Sequence, residues 1–82
     1  MENSKIEFRK QWASAVLMRL CKKHEIEWKR GWQSALSRKL GIAQQRFDEA
    51  MRGKVSIEWL SLLALKNKID VNQGSIGLVI AP

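Results

Sequence analysis

Residues 33–53 read QSALSRKLGIAQQRFDEAMRG, and this stretch decides the fold. Its apolar positions are Leu36, Leu40, Ile42, Phe47, Ala50 and Met51, divided by Gly41. At about 100° per residue, a helix from Ala43 to Arg52 gathers Ala43, Phe47, Ala50 and Met51 into one arc. Gln44, Gln45, Asp48, Glu49 and Arg52 occupy another arc, with Arg46 near the border. The spacing predicts two short helices joined by a tight turn at Gly41. The second helix packs one face inward and carries two adjacent amides at the N-terminal end of the other.

Outward from this pair, the N-terminal segment predicts a helix over about 5–23. Ser4 and Glu7 have the spacing of a capping box. Ile6, Trp12, Ala13, Val16, Leu17 and Leu20 form one broad apolar stripe, with Lys10, Gln11, Ser14 and Lys22 opposite. Between His24 and Gly31, Trp28 and Trp32 flank Lys29-Arg30-Gly31 and read as core anchors, with Gly31 breaking the chain. Helices are then expected over about 32–40 and 44–52, with Gly41 and Gly53 just past their ends, where a left-handed backbone suits glycine. A fourth helix starts from Ser56 as N-cap, has Glu58 in its first turn, and carries Trp59, Leu60, Leu62, Leu63, Ala64 and Leu65. The expected fold is all-α: a four- or five-helix domain over 1–73 with a central helix-turn-helix. The tail, 74–82, holds Ile76, Leu78, Val79 and Ile80 together with Gly74 and Gly77 and reads as a dimerisation strand or a linker.

Eighty-two residues make one domain with a single modest core. The formal net charge is +7, and it is unevenly placed. Residues 1–54 hold 13 of the 15 Lys/Arg and 6 of the 8 Asp/Glu, while Lys66 and Lys68 balance Glu58 and Asp70 in the rest. A basic surface favours polyphosphates through counterion release, although it also serves solubility. The single cysteine, Cys21, excludes an internal disulfide and a multi-cysteine metal site, and fits a small apolar filler in a helix. His24 has no partner at metal or catalytic spacing and reads as a solvated or helix-end residue. No apolar run reaches the roughly 18 residues of a membrane span, and no secretory signal is visible, so an intracellular, cytoplasmic chain is expected. No nucleophile–base spacing, paired carboxylates or phosphate-cradling loop suggests an enzyme, a metal or a cofactor. In this basic context, the polar face of residues 44–52 suits the DNA major groove.

The residues Gln33, Leu36, Ser37, Leu40, Gly41 and Phe47, with Gly53 beyond them, resemble the helix-turn-helix domains of lambdoid phage repressors and Cro proteins. The likeness is close over about 32–60 and loose over about 13–70. It implies that Gln33 begins the first helix of the motif, touches a phosphate and braces Gln44. Gln44 would offer its amide to an adenine edge, Gln45 would reach the next base, and Glu49 would accept from cytosine N4. Arg52 and Lys54, with backbone amides of the Gly53–Ser56 loop, would hold phosphates, and Arg46 would reach the backbone on the flank. The sequence departs from the family at Ser37, where alanine is common, and at Ala43, where a Ser or Thr cap is expected. Asp48 and Glu49 put two negative charges towards DNA; Arg52 at i+4 offsets the first, and the second has no such partner. Asn72-Gln73-Gly74 interrupts the family's fifth helix. The implied function is a sequence-specific, double-stranded DNA-binding regulator of repressor type. As a homodimer it would place two such helices about 34 Å apart on a pseudo-palindromic operator. The alternative is an antitoxin or other interaction module whose apolar tail binds a protein partner.

Overall fold

The computed structural model describes residues 2–69, with side chains from Lys5 onward. The apolar tail over 74–82 lies outside these residues. The described chain is all-α, with α1 over Glu2–Lys23, α2 over Trp32–Leu40, α3 over Gln44–Met51 and α4 over Ile57–Lys66.

The long helix α1 is the spine. Its 22 residues span about 33 Å at 1.5 Å per residue, and each of the other three helices packs against it. Trp12, Ala13, Val16, Leu17, Leu20 and Cys21 form its buried stripe. Against them lie Trp32 and Leu36 from α2, Phe47 and Ala50 from α3, Val55, and Leu60, Leu63 and Ala64 from α4. α2 also packs on α3, whereas no Cα of α3 comes within 8 Å of one in α4. The core is therefore organised around α1.

Ser4 does not cap α1. The helix begins at Glu2 and runs through Ser4, because nothing among Glu2, Asn3 and Ser4 breaks a helix and a local capping signal does not compel one to start. Ser56 does cap α4: its hydroxyl accepts from the Trp59 N–H at 3.1 Å.

Three helices end in the same way. The Ile26 N–H donates to the Cys21 carbonyl and the Glu25 N–H to Lys22, with Glu25 at φ 59°. At the end of α4, Ile69 donates to Ala64 and Lys68 to Leu65, with Lys68 at φ 57°. After α3, Lys54 donates to Glu49 and Gly53 to Ala50, with Gly53 at φ 76°. This is the Schellman arrangement, which satisfies the last carbonyls of a helix. Two of the three left-handed positions are not glycine, so no glycine in the sequence marks those ends. In both of these cases an isoleucine follows and packs on the core, which offsets the cost of the backbone conformation.

Packing corrects the expectation for Trp28 and adds to the readings of His24 and of the fourth helix. Trp32 is buried, but Trp28 keeps 36% of its surface exposed and leans on Trp32 with ring centroids 4.5 Å apart. His24 does follow the helix end, yet it is half-buried, with Nε2 enclosed and without a hydrogen-bond partner in the protein. In α4, Leu62 and Leu65 point outward, 59% and 73% exposed. Nearly continuous apolar sequence wraps the whole helix, whereas α1 covers only one side of it.

Candidate nucleic-acid interface

The α2–α3 unit is built by a short turn with local fastenings. Gly41, at φ 69°, donates its N–H to the Ser37 carbonyl at 2.8 Å. The Ser37 hydroxyl then donates to the Ile42 carbonyl at 2.5 Å. An alanine at position 37 would lack that bond, so this departure from the repressor pattern ties the turn to α2. Phe47 and Ala50 anchor α3 in the core, with Phe47 6.1 Å from the Trp32 ring.

Anchoring these two residues turns the opposite side of α3 outward. Gln44 and Gln45 are its first two residues, and both are exposed. Ala43 provides no side-chain cap. Arg46 donates its N–H to the Ala43 carbonyl at 3.0 Å, which leaves the backbone amides of Gln44 and Gln45 to donate to an incoming acceptor, aligned with the positive end of the helix dipole. Gln33 is the second residue of α2 and is half-buried. Among the described residues no hydrogen bond joins it to Gln44, so the bracing that the resemblance implies is not formed.

The charged residues of α3 are paired along the helix. Arg52 meets Asp48 at 3.3 Å, the expected i,i+4 partner. Glu49 also has a partner, contrary to expectation: Arg46 Nη1 lies 3.2 Å from its Oε1. This partner lies at i−3, which on a helix is as near a neighbour as i+4. Arg46 in turn sits over the Trp59 ring of α4, 4.9 Å from its centroid. It is thus directed along the protein surface towards α4. These ion pairs are exposed and contribute little to stability; their importance lies in where they hold the side chains.

The turn after α3 is clamped to α1. Arg9 Nε donates to the Gly53 carbonyl at 2.9 Å. The Gly53 Cα also lies so close to α1 that an added Cβ would stand 2.8 Å from the Ile6 carbonyl oxygen. Lys54 is exposed beside this clamp, and the aliphatic stem of Lys10 packs against Gly53. Beyond it, Lys5 and Arg9 line a shallow depression with Ser56, Ile57 and Glu58 at the start of α4. Lys5, Arg9 and Lys10 are absent from the residues expected at the site. They are distant from the motif in sequence, and only the packing of α1 brings them beside the Gly53 turn.

Among the described residues no cluster of His, Cys, Asp and Glu has the arrangement of a metal site. No helix among them is long and apolar enough to cross a membrane. Comparison with protein-family models, with curated proteins and with solved structures finds no significant match.

Proposed function

We propose that this chain is a sequence-specific, double-stranded DNA-binding transcriptional regulator of phage or prophage repressor type. The observation that carries this reading is the outward face of α3, where Gln44 and Gln45 are exposed at an uncapped helix start on a strongly basic chain. An amide at such a position forms a bidentate pair with adenine N6 and N7, which gives Gln44 direct base readout and Gln45 the neighbouring base. Arg52 and Lys54 neutralise phosphates on either side of Gly53, and Lys5, Arg9 and Lys10 extend the same electrostatic footprint. Binding is mechanical, without a catalytic step or a cofactor, and takes place in the cytoplasm at the nucleoid. A homodimer, joined through the apolar residues of the tail, engages two half-sites about one helical turn apart.

Selection of preferred sites from a pool of random duplexes tests the reading. The expected product is a short pseudo-palindrome bound at least about a thousandfold more tightly than random DNA at the same salt concentration. Equal affinity for every duplex would overturn it.

One observation favours a second reading, the protein-interaction module. Leu62 and Leu65 place two large apolar side chains on the surface of α4. On that reading, a protein partner covers α4 and duplex binding is weak and independent of sequence.

A further inference from the structure

Glu49 is the only acidic residue of α3 tied, through its ion-pair partner, to another helix. Its partner Arg46 is held from both sides: Nη1 reaches Glu49 Oε1 at 3.2 Å, and the guanidinium carbon stands 4.9 Å from the centre of the Trp59 ring. Trp59 belongs to α4 and packs against the core, so it is a fixed platform. α3 and α4 have no close backbone approach, which makes this three-residue relay a side-chain bridge between them. A planar guanidinium stacked on an indole loses much of its freedom to swing, and its remaining N–H groups are aimed in the plane of the fork. The contact engages Oε1 of Glu49, and Oε2 retains acceptor capacity.

We propose that Trp59, acting through Arg46, positions Glu49 so that α4 sets the base preference at one place in the DNA site. The inference rests on the DNA-binding reading above. The preferred base there is cytosine, whose N4 amino group donates to a carboxylate. With the stack in place, Arg46 is held on Glu49 and away from guanine O6 and N7, the acceptors that an unrestrained arginine favours. Trp59 is a positioning residue: it need touch no base, yet it determines which of two side chains on α3 is offered to DNA.

The experiment compares the intact chain with Trp59→Leu, Trp59→Phe, Arg46→Gln and Glu49→Ala. Site selection with the wild type and Glu49→Ala identifies the base pair that Glu49 reads. Affinities are then measured on duplexes carrying cytosine or guanine at that place. Wild type and Trp59→Phe, which keeps an aromatic face, should favour cytosine by about tenfold. Trp59→Leu and Arg46→Gln should both lose most of that preference, and the double variant should lose no more than Arg46→Gln alone. Arg46→Gln lies on the surface and guards against a folding defect at position 59. In the DNA-free protein, the Arg46 side-chain protons should show an upfield NMR shift from the Trp59 ring that disappears in Trp59→Leu. A Trp59→Leu protein that retains the wild-type preference overturns the inference, as does a missing ring shift, or a Glu49→Ala protein that selects the wild-type site. A wild type that selects no site at all overturns the DNA-binding reading itself, and this inference with it.

Discussion

Gly53 is the residue where backbone geometry and the site meet. Its φ of 76° suits glycine, and a Cβ there would stand 2.8 Å from a main-chain oxygen of α1. Gly41 has a similar φ of 69° but open space around it. Gly41→Ala is therefore expected to cost about 1 kcal/mol, the left-handed penalty alone. Gly53→Ala should cost about 3 kcal/mol, because α1 or the turn must also move. Urea unfolding of the two variants checks the difference, and equal losses would show that α1 does not press on the turn. On the proposed function, Gln44 is the residue on which readout rests. Gln44→Ala should weaken binding to the preferred site by about 1–3 kcal/mol and binding to random duplex far less. Equal losses on both DNAs, measured by fluorescence anisotropy, would remove Gln44 from base recognition.

Among the elements, α3 is the least secured by its own sequence. It has eight residues and no side-chain cap, and it is held by Phe47 and Ala50 from beneath. Ala43 has the extended conformation, φ −56° and ψ 135°, in which a capping residue works. Ala43→Ser should therefore raise stability by about 0.5–1 kcal/mol, seen as a higher urea midpoint with an unchanged slope. No gain would mean that the start of α3 is already satisfied. On the proposed function, the turn from α3 to α4 carries the phosphate-binding charge. Lys54→Gln should weaken specific and random duplexes alike and reduce the salt slope of binding by about one unit. If titrations across salt concentrations give the wild-type slope, Lys54 is a solvated charge and the footprint lies elsewhere.

At the scale of the whole molecule, Cys21 reports on the integrity of the core. It is the single cysteine of the chain and is fully buried on α1. Burial raises the pKa of its thiol above the ordinary value of 9.0. The unfolded chain therefore releases this proton first as pH rises, and folding stability falls above that ordinary value. Cys21→Ala should show a smaller loss of stability than wild type between neutral pH and pH values above 9.0. Parallel losses would mean that other groups dominate the alkaline response. A thiol reagent should label Cys21 only as fast as the domain opens, so conditions that stabilise the fold should slow labelling.

Four helices, the turn at Gly41, the cap at Ser56 and the inward residues Phe47 and Ala50 were legible in the sequence. Each is a local matter: hydrophobic period, glycine at a left-handed position, a hydroxyl before a helix. The exposure of Gln44 and Gln45 followed from the same periodicity. The end of α1 at Lys23 was legible too, but not the left-handed turns that close α1 and α4, where Glu25 and Lys68 take a conformation usual for glycine and Ile26 and Ile69 then pack on the core. Likewise, local sequence could not show that Leu62 and Leu65 face outward, since that depends on which side of α4 meets α1. It was equally silent on Arg9 bonding to Gly53 and Arg46 stacking on Trp59, contacts spanning 44 and 13 positions of chain. Local periodicity determined the helices and the face each could bury. Tertiary packing alone decided which distant side chains meet around that face, because those contacts depend on how α1 gathers the other helices.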